Sequence, residues 1–219
     1  MIKVTSARLA LTAGLIAAGV ALVAFTQPPA KDNKPAAGAP PEMQLPPGWT
    51  PEDMKAYEVA GTPGKMHEWL AKQAGDWNGK SQMWMAPGTP PMASECKQTV
   101  KTIMEGRYIE AEMSGDMPGM GAFLGRGIVG YDNVAQKFVG TWFDNHSTGI
   151  MQGVGELSKD AKTMTWTYTF HCPILKKQTT MRQVETYTSE NAMRYEMFCT
   201  DPKSGKEYKC MMIDMTKKS

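Results

Sequence analysis

Methionine is the most unusual chemical feature of this chain, with 19 residues in 219. Met113, Met117 and Met120 lie close together around glycine-containing turns. Thioether sulfurs are soft ligands that select Cu(I), but methionines beside a Pro-Gly turn also form flexible apolar lids. We favour the lid over the copper site and expect no metal. Three upstream methionines would contribute to the same lid: Met83, Met85 and Met92.

Acidic residues suggest two catalytic arrangements. Glu110 and Glu112 are two apart, so on a strand their carboxylates would lie about 6.5–7 Å apart on one face. Two-carboxylate hydrolysis needs both in a cleft, and a solvated outer face is the favoured interpretation. Asp144 shares a face with Trp142 and would be a buried acid if that face is interior. A hydrolase-type enzyme using this cavity acid is therefore one hypothesis.

Four cysteines permit disulfides in an oxidising compartment. A short hairpin loop centred on residues 204–205 would place Cys199 directly opposite Cys210, and we predict a bridge between them. The sequence leaves the pairing of Cys96 and Cys172 open. Zinc is disfavoured because no Cys-x-x-Cys spacing occurs and only three histidines are present.

Histidine offers little catalytic chemistry. His171 and Cys172 are adjacent, and neighbouring residues of a regular strand point to opposite faces, so they cannot form a nucleophile–base pair. No sequence signature indicates haem, and we expect no cofactor. Lys and Arg number 24 against 22 Asp and Glu, a net charge of +2 that argues against nucleic acid as a partner.

The N-terminal region has the pattern of a targeting segment. Basic residues near the start precede an uncharged run over residues 9–25, which is typical of a secretory signal. Residues 1–26 are expected to be a signal peptide or a retained membrane anchor, and either would place the remainder outside the cytoplasm. Residues 27–49 are rich in Pro and Ala and predict an extended linker.

Two short helices are predicted over residues 50–75. Thr50-Pro51 followed by acidic residues is a helix start, and Thr62-Pro63 opens a second helix that Gly75 ends. Beyond them the hydrophobic period becomes two, most clearly over Thr163–His171. Turn residues at short intervals delimit about ten strands. Residues 76–219 are thus predicted to form an all-β, antiparallel, up-and-down barrel, wide enough for one small ligand.

Several short motifs resemble a bacterial family designated domain of unknown function 1579. The likeness covers about residues 50–216 and implies a calycin-like barrel without an agreed activity. The opening Gly75-x-Trp77 is similar to that of lipocalins, in which the Trp packs under a basic side chain from a late strand. Arg194 and Lys209 are the candidates for that partner. The matching segments are Pro63–His67, Leu70–Ala71, Gly75–Trp77, Met104–Tyr108, Gly130–Asn133, Gly140–Trp142, Asp144, Thr148–Gly149 and Asp201–Glu207.

The leading hypothesis is an exported, non-enzymatic protein that binds an apolar small molecule or lipid inside the barrel. The alternatives are the hydrolase using a cavity acid and a cell-envelope interaction module without a ligand. The sequence leaves the oligomeric state open. The candidate ligand-binding residues are Trp142, Asp144, Met117, Met120, Trp166 and Tyr195.

Overall fold

The computed structural model describes residues 45–219. The expected signal or anchor over residues 1–26 and most of the linker over residues 27–49 lie outside the described residues. Within residues 45–219, neither helix has the length and hydrophobicity needed to cross a bilayer.

Two short helices precede the barrel, as expected from the sequence. Helix α1 spans Pro51–Gly61 and begins with a capping box, in which Thr50 Oγ1 accepts from the backbone N–H of Asp53 at 3.2 Å. Helix α2 spans Lys65–Ala71. It is capped by its own histidine, since the Gly64 N–H donates to His67 Nδ1 at 3.0 Å.

Ten antiparallel strands close into one barrel, which confirms the predicted all-β meander. Each strand pairs with its neighbours in sequence, and the first strand pairs with the last. The strands are β1 Gly75–Met83, β2 Met92–Ile103, β3 Tyr108–Met117, β4 Gly121–Asp132, β5 Lys137–Asp144, β6 Met151–Leu157, β7 Thr163–Cys172, β8 Lys177–Ser189, β9 Ala192–Thr200 and β10 Glu207–Lys217.

Helix α2 covers one end of the barrel. Leu70 is fully buried there, and the Trp69 ring meets the rings of Phe138 and Tyr187 edge-on at 5.5 and 5.2 Å between centroids. The His67 ring meets Tyr131 in the same edge-on manner at 6.0 Å. Helix α2 and its aromatic contacts therefore plug this end of the barrel, and among residues 45–219 the other end has no helix.

The glycines inside the strands make room for aromatic rings. A Cβ added at Gly155 would lie 2.8 Å from the Trp166 ring, and one added at Gly153 would lie 2.5 Å from the Tyr168 ring. On β4, Gly127 lies under Trp142 in the same way. Close packing of these rings is the reason for glycine at these strand positions.

The Gly75-x-Trp77 opening does pack against a late basic side chain, but the predicted partner is wrong. Lys217 Nζ lies 5.4 Å from the centroid of the Trp77 ring. A Cβ added at Gly75, whose φ is +138°, would lie 2.5 Å from Lys217 Cε. Arg194 and Lys209 point outward instead and pair with Asp214 and Glu196 on the barrel surface, because their strand positions alternate with the core residues.

The predicted disulfide between Cys199 and Cys210 is present, with the two Cα atoms 5.7 Å apart. The predicted register is wrong, however. Cys199 lies opposite Tyr208, and a bulge between Lys209 and Met211 takes Cys210 out of the regular ladder. A bulge inserts one unpaired residue into a strand, and here it brings the second sulfur to the first. Cys96 and Cys172 are free thiols.

Candidate functional site

A cavity of about 280 Å³ lies inside the barrel. Most of its lining comes from the half of the barrel away from α2. At the end of the barrel without a helix, the cavity is bordered by side chains that are partly exposed, such as Met117 and Phe123. The cavity therefore has a deep side within the barrel and a mouth at the end without a helix.

Methionine dominates the apolar lining of the cavity. Unbranched thioethers adapt their shape to whatever packs against them, so such a wall suits an apolar guest whose outline it does not fix in advance. Met120 and Met85 of the expected lid are instead mostly exposed. The seven lining methionines are Met83, Met113, Met117, Met151, Met181, Met197 and Met211.

A carboxyl group lies on the deep side of this apolar cavity. Glu185 of β8 is only 8% exposed and lines the cavity. Gln183 Nε2 donates to Glu185 Oε1 at 2.8 Å, and the Tyr187 hydroxyl donates to Glu185 Oε2 at 2.5 Å. All three side chains are on the inner face of the same strand, two residues apart, which is how a strand presents one face.

Burial determines the protonation behaviour of this group. Loss of solvation raises the pKa of Glu185 above its ordinary value, and the hydrogen bonds from Tyr187 and Gln183 offset part of that effect. The pKa values of Tyr168 and Tyr195 are also raised, first by burial and then by the nearby Glu185 carboxylate. Tyr168 and Tyr195 therefore stay neutral, and Glu185 is the group in this cluster whose protonation state depends on its environment.

A second polar pair lies close to this cluster. The Tyr195 hydroxyl is 3.4 Å from Gln98 Oε1 of β2, and both residues are buried and line the cavity. The deep side of the cavity is thus polar, whereas its mouth is rich in methionine. A cavity of this kind can orient a guest that has one polar end and one apolar end.

Four of the six residues predicted as ligand contacts line the cavity: Trp142, Asp144, Met117 and Tyr195. Trp166 is buried beneath the wall, and its Nε1 has no hydrogen-bond partner among the described residues. Met120 lies in the turn between β3 and β4 and is 50% exposed. The structure therefore brings four of the six together around one space, and their contact with a ligand stays a prediction.

Asp144 lies at the mouth of the cavity, half-buried, and does not occupy a deep position. Its Oδ1 accepts from the backbone N–H of His146 at 3.0 Å, so it stabilises the turn after β5. The ring of His146 stacks on Phe123 with 6.0 Å between centroids. This geometry makes Asp144 a mouth residue with a local structural bond, and Glu185 the deep acid.

The charge around the cavity has one sign. Three acids line it, namely Asp116, Asp144 and Glu185, and within residues 45–219 no Lys, Arg or His does. The basic residues near these strands face outward, where Arg182 donates to Glu207 at 2.7 Å and other pairs lie on the exterior. Glu112 also faces outward and pairs with Arg126, in agreement with the favoured outer-face interpretation.

Sequence reasoning missed Glu185 because the inner face of β8 is largely polar. A strand that turns its apolar residues towards the core would place Val184 inside and Glu185 outside, which is the reverse of the structure. The available signal was the alternation of Met181, Gln183, Glu185 and Tyr187. Met181 and Tyr187, the first and last of these four residues, are buried or half-buried in the barrel.

The remaining reactive groups show no metal site. Within residues 45–219, no three His, Cys, Asp or Glu residues cluster closely enough to hold a metal ion. Cys96 lines the cavity as a free thiol, and burial raises its pKa to about 11. A thiol that stays protonated is a weak nucleophile, so Cys96 is a component of the cavity wall.

Fold and site together define a closed, ten-stranded antiparallel barrel with an internal cavity. The family model described as "Protein of unknown function (DUF1579)" matches residues 62–217, and the chain belongs to this family. No curated protein sequence matches the chain. Among solved structures, the crystal structure of Rv2717c from M. tuberculosis is similar, with a TM-score of 0.53 and 9% identity over 72% of this chain and 100% of that chain. At that identity the likeness supports the fold alone.

Proposed function

We propose that this protein is an exported binding protein that holds an apolar small molecule or lipid inside its barrel. The observation that carries the proposal is the cavity of about 280 Å³, lined by seven methionines together with aromatic side chains. A barrel serving only as a filled interaction module would pack this space with side chains, because protein interiors are normally close-packed.

The volume sets the size of the guest. A cavity of about 150 Å³ lined by apolar side chains binds benzene. The present cavity is about twice that size, so it matches a molecule of about twelve non-hydrogen atoms. It lies just under the range of about 300–1,000 Å³ that ligand pockets commonly span. A small amphiphile, or one arm of a lipid, fits this volume.

Export is part of the proposal. The bridge between Cys199 and Cys210 suits an oxidising compartment outside the cytoplasm. The basic and apolar pattern of residues 1–26 suits a signal peptide or an anchor, and the Pro/Ala-rich residues 27–49 suit a tether. An anchored form would keep the barrel near the membrane from which a lipid could enter it.

The test of binding is organic extraction of the natively purified protein, followed by mass spectrometry of the extract. The matched control fills the cavity: Ala111 lines it, whereas Ala122 on β4 is exposed. We expect a co-purified molecule with the wild type and with Ala122→Phe, and its loss with Ala111→Phe. Equal extracts from all three proteins would count against binding in this cavity.

A hydrolase-type enzyme is the second candidate function, and one observation favours it. Glu185 is a buried cavity acid whose pKa is raised by burial, which is a common property of general acids. This shifts the candidate acid from Asp144 to Glu185. Ester or glycoside hydrolysis that disappears in Glu185→Gln and persists in Asp144→Asn would support it, and a rate equal in all three proteins would exclude it.

A further inference from the structure

The charge of the cavity gives a narrower inference about the ligand, and this inference rests on the proposed binding function. The starting observation is the position of Glu185, whose carboxyl lines an apolar cavity and accepts hydrogen bonds from the side chains of Gln183 and Tyr187. Neither partner carries a positive charge. Burying an uncompensated carboxylate is costly, so the cavity favours whatever guest supplies the missing cation.

The other charged residues that line the cavity are also acidic. They are Asp116 and Asp144 at the mouth, and the described part of the chain contributes no basic side chain to the lining. A fatty-acid carboxylate would meet the buried Glu185 and the half-buried Asp144 in this space, with Asp116 exposed at its rim, and no basic side chain of residues 45–219. Like charges at close range in a low-dielectric site repel strongly, so the lining selects against anionic lipids.

Aromatic rings reinforce the preference. Tyr168 and Tyr195 line the cavity beside Glu185, and Trp142 lines it nearer the mouth. The electron-rich faces of such rings attract cations electrostatically. A protonated amine close to Glu185 would thus meet a carboxylate and aromatic rings, while its apolar body would contact the methionines.

We propose that the cavity binds a cationic amphiphile, with a protonated amine directed at Glu185 and an apolar body directed along the methionine wall towards the mouth. The class is a lipophilic primary amine or a molecule that carries one. Glu185 serves as the counter-ion, Gln183 and Tyr187 hold its two oxygens in place, and the acids at the mouth attract the ligand.

The test uses three probes of equal chain length: decylamine, decanol and decanoate. Each is titrated into the full-length chain, as purified from the expressing cell, below the concentration at which the probe forms micelles. Binding is followed by calorimetry and by tryptophan fluorescence. We expect decylamine to bind at least about tenfold more tightly than decanol, which is a difference of about 1.4 kcal/mol, and decanoate to bind most weakly.

The matched variant is Glu185→Gln, which keeps the shape and hydrogen-bonding capacity of the side chain and removes its charge. It should weaken decylamine binding at least about tenfold and leave decanol binding within about twofold. Asp144→Asn at the mouth should weaken decylamine binding by a smaller factor. Equal losses for the amine and the alcohol in Glu185→Gln would overturn the proposal, since they would show a steric effect rather than a charge effect.

A measurement on the wild type keeps the proposal testable if Glu185→Gln fails to fold. Lowering the pH from about 8 to about 4 protonates carboxyls while an alkylamine stays charged. Decylamine affinity should then fall relative to decanol affinity. The titratable groups that face this region are Glu185, its neighbours Tyr168, Tyr187 and Tyr195, and the thiol of Cys96, with Asp116 and Asp144 at the mouth. A pH-independent ratio would contradict the proposal.

The binding results distinguish the proposed binding function from the proposed preference for a cationic ligand. If none of the three probes binds, the proposed binding function is wrong in this form. If decanol or decanoate binds at least as tightly as decylamine, the cavity binds apolar molecules and the inference about a cation is wrong. Tight decylamine binding that is lost in Glu185→Gln supports both.

Discussion

Replacing Glu185 by Gln should change how the stability of the protein depends on pH. Burial raises the pKa of Glu185 in the folded protein, whereas in the unfolded chain it titrates near its ordinary value of 4.5. Between those two pKa values the folded state holds one proton more than the unfolded state. The free energy of unfolding therefore decreases as pH rises through this window, with a slope of up to about 1.4 kcal/mol per pH unit.

The pH range of this effect is set by the pKa of Glu185 in the unfolded and in the folded protein. Below about pH 4.5 both states are protonated and the carboxyl contributes no pH dependence. Above that value the wild type loses stability relative to Glu185→Gln until the folded-state pKa is passed, and the difference is then constant. Each pH unit within this window changes the relative unfolding free energy by up to about 1.4 kcal/mol.

The assay is urea-induced unfolding of both proteins at a series of pH values from about 4 to about 8, followed by tryptophan fluorescence. The quantity of interest is the difference in unfolding free energy between the two proteins. Glu156→Gln, on the exposed outer face of β6, is the matched control, and its difference from wild type should stay flat. A flat difference for Glu185→Gln as well would refute the burial of an ionisable group at this position.

Two further variants and one labelling rate test the packing of the barrel. Gly155→Ala should lower the unfolding free energy by about 1–3 kcal/mol, because the new Cβ would lie 2.8 Å from a buried Trp ring; Gly149→Ala, with open space around it, should be nearly neutral in the same urea titration. Replacing Cys199 and Cys210 by Ser should cost about 2–3 kcal/mol, since the bridge closes a short loop of sequence separation 11; no change on reduction of the wild type would contradict this. Cys96, with a pKa of about 11, should react with iodoacetamide at neutral pH about a hundredfold more slowly than a free thiol near 9, and mass spectrometry of the labelled chain measures the rate.

Much of the architecture is predictable from the sequence, because period-two alternation and turn residues are local signals. The run over Thr163–His171 alternates strictly and forms β7. The capping residues at Thr50 start α1 where expected. Number and order of strands follow from such runs, since hairpin connections leave a meander as the simplest arrangement.

Register is less predictable, since it depends on irregularities that the sequence does not mark. The hairpin between β9 and β10 contains a bulge, so Cys199 and Cys210 form their bridge without lying directly opposite each other. The partner of Trp77 was misplaced for a related reason. Lys217 is close to the chain end, and only closure of β1 against β10 brings it to the ring.

The candidate site was predictable mainly in its apolar part, with Asp144 and Tyr195 as the predicted polar residues that also line the cavity. Trp142 and Met117 follow apolar-in patterns and do line the cavity. Glu185 breaks the pattern because it is a polar residue on an inner face, and local alternation places such a residue outside. Functional sites commonly violate the local rules that the rest of a fold obeys, and this violation is visible only once neighbouring strands are in place.

The most direct test of the central claim is a calorimetric titration of decanol into the wild type, Ala111→Phe and Ala122→Phe. We expect saturable binding to the wild type and to Ala122→Phe, and no measurable binding to Ala111→Phe, whose new ring would occupy the cavity. Binding that is equal in all three proteins, or absent from the wild type, would contradict the claim that this barrel is a container for an apolar molecule.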